Sequence, residues 1–120
     1  MTTGALIISW GRVLPGREKK ALEVFASSQE YWEGNEKRGE IVSHRPYFGP
    51  LRGATGMFFI EGETERLQAL MRTDEFRKEI QRGAAVVEDL HVDLVEGGSE
   101  AAVQRLMAVY AEANAELGYL

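Results

Sequence analysis

The 120-residue sequence predicts an α+β fold, a single antiparallel sheet with helices laid against it. Three observations carry that reading. Short stretches alternating at period two are interleaved with longer stretches whose apolar residues recur at helical spacing. Glycine and proline stand between them as breaks, at Pro15-Gly16, Gly49-Pro50, Gly53 and Gly97-Gly98. A composition of 44% apolar and 28% charged residues builds one ordinary core, and this length leaves no room for a second.

The first element is a strand over Ala5–Arg12, where Leu6, Ile8 and Trp10 alternate with Ile7, Ser9 and Gly11. After Pro15-Gly16 a helix runs from Arg17 to about Lys37, with Ala21, Leu22, Phe25 and Trp32 near one face. Strands over Ile41–Phe48 and Thr55–Glu61 follow as antiparallel neighbours, joined by the hairpin connection 49–53. Thr64 is placed to cap a helix starting at Glu65, and Thr73 with Asp74 and Glu75 forms a second cap. The reading is one helix, bent near Thr73, running to about Ala85, with Leu67, Leu70, Met71, Phe76 and Ile80 as its buried stripe. The fourth strand spans Glu88–Val95, with Leu90, Val92 and Leu94 opposite His91, Asp93 and Val95. Ser99 then caps a further helix to about Glu116, striped by Val103, Leu106, Met107, Tyr110 and Ala113. The order βαββαβ is the split βαβ arrangement of a ferredoxin-like sandwich over 1–96, with the helix of 97–120 appended to the same domain.

Charge and composition exclude several classes of function. With 14 basic and 19 acidic residues the net charge is −5, so no broad positive field draws in nucleic acid. The absence of cysteine removes disulfides, thiolate metal sites and cysteine nucleophiles. Apolar runs are only a few residues long, and no basic region followed by a long apolar stretch opens the chain. No membrane association is expected, and the location expected is cytoplasmic. No GxGxxG, GxxxxGKS or GxSxG pattern follows a strand, so neither a phosphate-cradling loop nor a nucleophile elbow is present in the sequence.

Pro15-Gly16-Arg17-Glu18, between first strand and first helix, and TDEFRKEI at 73–80 give this chain its resemblance to a known group. Over about residues 5–96 it resembles the dimeric α/β-barrel superfamily, which includes the antibiotic-biosynthesis monooxygenase-like, EthD-like, NIPSNAP-like and stress-responsive barrel families. The resemblance implies a homodimer whose two four-stranded sheets pack into a shared barrel. It also implies a pocket in each protomer, between sheet and helices or inside the barrel. Haem-degrading members rely on a histidine on a helix; the long helices here carry none, which disfavours that activity. Cofactor-free monooxygenase relatives hold electron-rich substrates with tryptophan, asparagine or histidine, residue types represented here by Trp10 and His91.

Dimerisation also has a physical argument. A sheet with helices on one side leaves its other face wet, yet that face would hold Ala5, Ile7, Val95 and aromatic residues of the middle strands. A symmetric partner covers it, with the appended helix as the other available cover.

Candidate chemistry centres on the last strand. His91 and Asp93 are two apart, so they share a face, and a neighbouring carboxylate orients an imidazole and raises its basicity. They are the candidate catalytic pair, the plainer reading being solvated residues at a sheet edge or dimer seam. Ser9 shares their side. His44 could approach the partner's His91 in a barrel dimer, and Asp93 or Glu61 could complete a ligand set, but without HxH or HExxH spacing no metal site is assigned. No cofactor is expected. Trp10, Phe25, Trp32, Phe58 and Phe59 are candidate walls for a flat aromatic ligand, the plainer reading being ordinary core, with the tryptophans at the lip, where their indole N–H groups find partners. Ser9, His44 and Tyr47 complete the candidate ligand-binding set, and Arg45 with Arg52 near the hairpin could hold a carboxylate. The function expected is that of a homodimeric α/β-barrel protein binding a small apolar or aromatic molecule, with cofactor-independent monooxygenase or isomerase chemistry as one outcome. The alternative is a non-catalytic binding or assembly protein.

Overall fold

The computed structural model describes residues 2–120. Strands β1 (Thr3–Trp10), β2 (Ser43–Leu51), β3 (Ala54–Glu63) and β4 (His91–Glu96) form one sheet in the order β2-β3-β1-β4, every neighbouring pair antiparallel. Helices α1 (Glu18–Lys37), α2 (Thr64–Met71) and α3 (Asp74–Ala84) accompany the sheet, and α4 (Glu100–Glu116) follows it. This is the ferredoxin-like arrangement expected from the element order.

Register decides which residues meet the helices. Leu6 pairs with Ile60 and Leu94, and Ile8 with Phe58 and Val92, so the apolar members of three strands share one face. Leu6, Ile8, Phe58 and Ile60 are buried there against Trp32, Leu67, Leu70 and Phe76 from the helices. Gly56 belongs to this face because Trp10 lies over it: a Cβ at Gly56 would stand 2.6 Å from Trp10 Cζ2. The opposite face carries Ile7, Met57 and Phe59, half-buried, with Tyr47 and Val95 exposed. No element of the protomer covers it.

Besides small shifts at the ends of β1, α1, β2 and β3, the elements depart from the sequence expectation in four places, each with a local cause. The region 64–85 is two helices, because Thr73 leaves helical geometry (ψ 150°) and caps α3 by accepting from the Phe76 N–H at 3.2 Å. Thr64 does not cap α2: it is the helix's first residue, and its buried hydroxyl has no partner among the described residues. β4 starts at His91 because Asp89 adopts a left-handed conformation (φ 50°), which Asp tolerates better than most residues and which breaks the strand. Before that break, pairing continues between Gly11–Leu14 and Val86–Glu88 through the Val13–Val87 bridge. The hairpin is tighter than expected, with strand pairing down to Leu51–Ala54 and a turn of Arg52 and Gly53 (φ 75°).

The fourth helix differs most. Ser99 caps it as expected, accepting from the Ala102 N–H at 3.1 Å, and Arg105 pairs with Glu96. Thr3 fixes its base, donating to the Gly97 carbonyl at 2.9 Å with its hydroxyl 2.8 Å from Ser99 Oγ. Past buried Ala102 and half-buried Leu106 the helix leaves the body, and Val103, Met107 and Tyr110 of the expected stripe are exposed. It does not cover the open face of the sheet.

Candidate functional site

Between the sheet and the helices α1 and α3 lies a cavity of about 370 Å³. Its sheet wall is Ile8, Trp10 and Phe58; its helix walls are Phe25, Ser28 and Trp32 from α1 and Glu79 and Ile80 from α3. The α1 wall exists because Ala21, Phe25, Ser28 and Trp32 recur at helical spacing and turn to the sheet together. Phe76, Glu79, Ile80 and Gly83 do the same on α3. Aromatic rings pack edge-on and tilted around the space, with Trp10 5.5 Å from Phe58 and 6.2 Å from Phe25 between centroids. Phe48 stacks on Phe25 at 5.5 Å while remaining 66% exposed, and Leu22 is 74% exposed, so these apolar residues mark the mouth.

One charged side chain is buried in this apolar wall. Glu79 is 9% exposed. Its Oε2 accepts from Ser28 Oγ at 3.0 Å and its Oε1 from Arg82 NH1 at 2.7 Å. A carboxylate at such a site needs both a counter-charge and hydrogen bonds, and here it has them from its own helix and from α1.

The residues singled out from the sequence divide between the two faces of the sheet. Trp10, Trp32 and Phe58 line the cavity. Trp32 is its deep end rather than its lip, only 2% exposed and edge-on to Phe76, whereas Trp10 is half-buried. Ser9, Tyr47, His91 and Asp93 are on the open face, where His91 pairs across the strands with Ser9 and Asp93 with Ile7. His91 and Asp93 are both exposed, and neither touches the cavity.

His44 is on the helix side, with Nδ1 2.9 Å from Glu36 Oε1, and the same carboxylate accepts its backbone N–H at 3.2 Å. His44 is thus engaged by its own α1 and lies on the other face of the sheet from His91. Among the described residues no group of three or more His, Asp or Glu is arranged to hold a metal ion. Arg45 and Tyr47 face away from the helices, and Phe48 faces them, so the hairpin residues do not form one cluster.

Ser28 and Glu79 were missed, and a signal for them exists. Each occupies an inward position of an otherwise apolar helical stripe, where a polar residue is costly unless it has a partner. Tyr31, next to Trp32, stands at the edge of the helix layer: its ring centroid is 4.8 Å from that of Trp32, and its buried hydroxyl makes no hydrogen bond of ordinary geometry among the described residues. Burial pushes its phenol above the ordinary value of 10.0, with the neighbouring Asn35 and Thr73 side chains acting against that rise.

Comparison with solved structures finds the same ferredoxin-like fold in several proteins of low sequence identity. A dimeric ferredoxin-like protein from Bacteroides fragilis superposes with a TM-score of 0.60 at 13% identity, over 79% of this chain and 96% of that one. A candidate antibiotic biosynthesis monooxygenase from Bacteroides thetaiotaomicron gives 0.58 at 13% identity, over 82% and 90%. SnoaB, a cofactor-independent oxygenase from Streptomyces nogalater, gives 0.60 at 11% identity, over 82% and 96%. At these identities the likeness is one of fold. No family model matches the chain, and no curated protein does.

Proposed function

We propose that this protein is a homodimer that binds a small, flat, mostly apolar organic molecule in the cavity between the sheet and α1 and α3. The observation that carries this reading is the cavity itself: about 370 Å³, walled by Trp10, Phe25, Trp32 and Phe58, with half-buried Ser28 hydrogen-bonded to buried Glu79 in its wall. Ligand sites have this character, apolar walls supplying affinity and few polar groups fixing orientation. Cofactor-independent oxygenation of the bound molecule is the reaction class suggested by the likeness to SnoaB. His91 and Asp93 lie across the sheet from this cavity, so they act as the acid/base pair only on a molecule held in the space that a second protomer encloses on the open face. Non-catalytic binding is the second reading, favoured by the exposure of His91 and its position outside the cavity.

The test uses N-phenyl-1-naphthylamine, a neutral probe that fluoresces in apolar surroundings. Saturable enhancement at one probe per chain is expected. Ala21→Trp, which fills the cavity from α1, is expected to abolish it, and His91→Ala to leave it unchanged. No enhancement, or enhancement indifferent to Ala21→Trp, would exclude this cavity as the ligand site. A substrate, once found, decides the chemistry: turnover that survives in His91→Ala removes that histidine as the base.

A further inference from the structure

The outward stripe of α4 has a spacing of its own. Val103, Met107, Tyr110, Asn114 and Leu117 follow one another at steps of four, three, four and three residues, the seven-residue repeat of a helix that pairs with a helix. The four apolar and aromatic members are all exposed. Asn114 donates one amide hydrogen to the Tyr110 carbonyl of its own helix at 2.8 Å, which leaves its second hydrogen and Oδ1 for another molecule. A lone asparagine in such a seam costs stability and fixes the register of the pair. Charge is placed to suit an identical helix. Arg105, paired with Glu96, and Glu112 and Glu116 fall opposite the stripe, while the positions beside it, Gln104, Leu106, Ala111 and Ala113, are uncharged. Two copies therefore meet with no like charges in the seam.

The sheet sets their direction. On the open face Arg45, Phe59, Ile7 and Asp93 stand in one row across the four strands. Both charged ends of the row are exposed, and among the described residues neither has an ion-pair partner. A two-fold axis along the strands lays β2 of one protomer over β4 of the other and brings each Arg45 to the partner's Asp93, whereas an axis across the strands sets Arg45 against its own copy. The first arrangement also makes both α4 helices leave from one end of the dimer, where β1 begins and β4 ends.

We propose that α4 pairs with α4 of a second copy of this chain, as a short parallel coiled coil at that end of the dimer. This rests on the protein being a homodimer. A helix of 17 residues spans little more than two repeats and does not pair alone, so the facing sheets supply the effective concentration that lets it do so. The pairing is additional to the shared fold: the likeness to solved structures covers 79–82% of this chain against 90–96% of theirs, and the rest of this chain has no counterpart in them.

The experiment uses the absence of cysteine from the chain. Tyr110→Cys and Leu117→Cys in the stripe, and Glu112→Cys on the outer side of the helix, are each oxidised with copper phenanthroline and followed on non-reducing gels. All three positions are exposed, so the variants are expected to fold. In a parallel pair every stripe residue faces its own copy within disulfide reach, and Tyr110→Cys and Leu117→Cys are expected to link at least about tenfold faster than Glu112→Cys. In an antiparallel pair centred on Tyr110 the two copies of position 117 stand about 21 Å apart and do not link. Linking at Tyr110→Cys alone therefore overturns the proposal, as does linking of Glu112→Cys as fast as the other two. A dimeric wild type whose stripe variants do not link overturns the helix pair and leaves the homodimer standing. A wild type that sediments as a monomer removes both.

Discussion

At the scale of single residues, Gly56 and Tyr31 test the packing around the cavity from opposite sides. Trp10 lies directly over Gly56, so Gly56→Ala forces the indole away from the sheet, and the space next to it is the cavity. The expected result is a stability loss of about 1–3 kcal/mol, as for other overpacked sites, with weaker binding of N-phenyl-1-naphthylamine. Unchanged probe affinity would mean that Trp10 does not set the shape of the space. Among the described residues the buried Tyr31 hydroxyl makes no hydrogen bond of ordinary geometry, with Asn35 and Thr73 the polar side chains near it. Such a group costs about 1–3 kcal/mol when unsatisfied, so Tyr31→Phe is expected to hold or raise stability in urea unfolding. The same phenol makes stability depend on pH. Its folded-state value is raised above 10.0, so the native state holds that proton more tightly than the unfolded chain does. Stability is therefore independent of this ionisation below pH 10 and falls as the pH climbs beyond it, because burial penalises the phenolate. Tyr31→Phe is expected to flatten the alkaline limb of a stability–pH profile, and an unchanged limb would assign that limb to other groups.

At the scale of elements, two threonines that look alike in sequence have different work. Thr73 caps α3, and replacing it with Ala is expected to cost about 1 kcal/mol. Thr64 is inside the first turn of α2 with its hydroxyl unpartnered among the described residues, so Thr64→Val is expected to be neutral or stabilising in the same assay. Equal losses at both positions would contradict these assignments. The pair also illustrates what was legible beforehand. The facing of the strands followed from the period-two pattern, which puts Leu6 with Ile8 and Val92 with Leu94 on one side of their strands. Cap placement did not follow as well, since a threonine before acidic residues has the same letters whether it stands at the cap or one residue inside. The site was legible by halves. Trp10, Trp32 and Phe58 were found because large aromatic residues on an inward face line whatever space is there. Glu79 was not, because its burial depends on Ser28 and Arg82, 51 and 3 residues away, meeting it in three dimensions. The side of the sheet taken by His44 was likewise set by register with Ile60, which hangs on the hairpin turn rather than on any feature of the strand itself.

At the scale of the whole molecule, the shape asks for a partner. The radius of gyration is 16.9 Å and the extents are 56 × 33 × 23 Å. A compact chain of this length has a radius of gyration near 14 Å, roughly, so mass lies outside the main body, and α4 is the element that leaves it. Two apolar surfaces are therefore uncovered together, the sheet face with Ile7, Phe59, Tyr47 and Val95 and the α4 stripe with Val103, Met107 and Tyr110. A stable dimer buries roughly 1,200 Å² or more in total, and a face-to-face pairing of sheets with α4 reaching onto the second protomer combines both surfaces in one seam. Two substitutions separate their contributions. Val95 is 42% exposed on β4, an edge strand, so Val95→Arg is harmless to the protomer and places a charge in the proposed seam. It is expected to give a folded monomer by sedimentation equilibrium and far-UV circular dichroism. Met107→Asp with Tyr110→Asp charges only the arm, and a dimer at least about tenfold weaker is expected, from loss of apolar area without new strain in the body. A Val95→Arg protein as dimeric as the wild type would move the seam off the sheet, and arm variants of undiminished affinity would leave α4 free for a different partner. A monomeric wild type at high concentration would remove the dimer, and with it the enclosed barrel space that His91 and Asp93 need for their proposed chemistry.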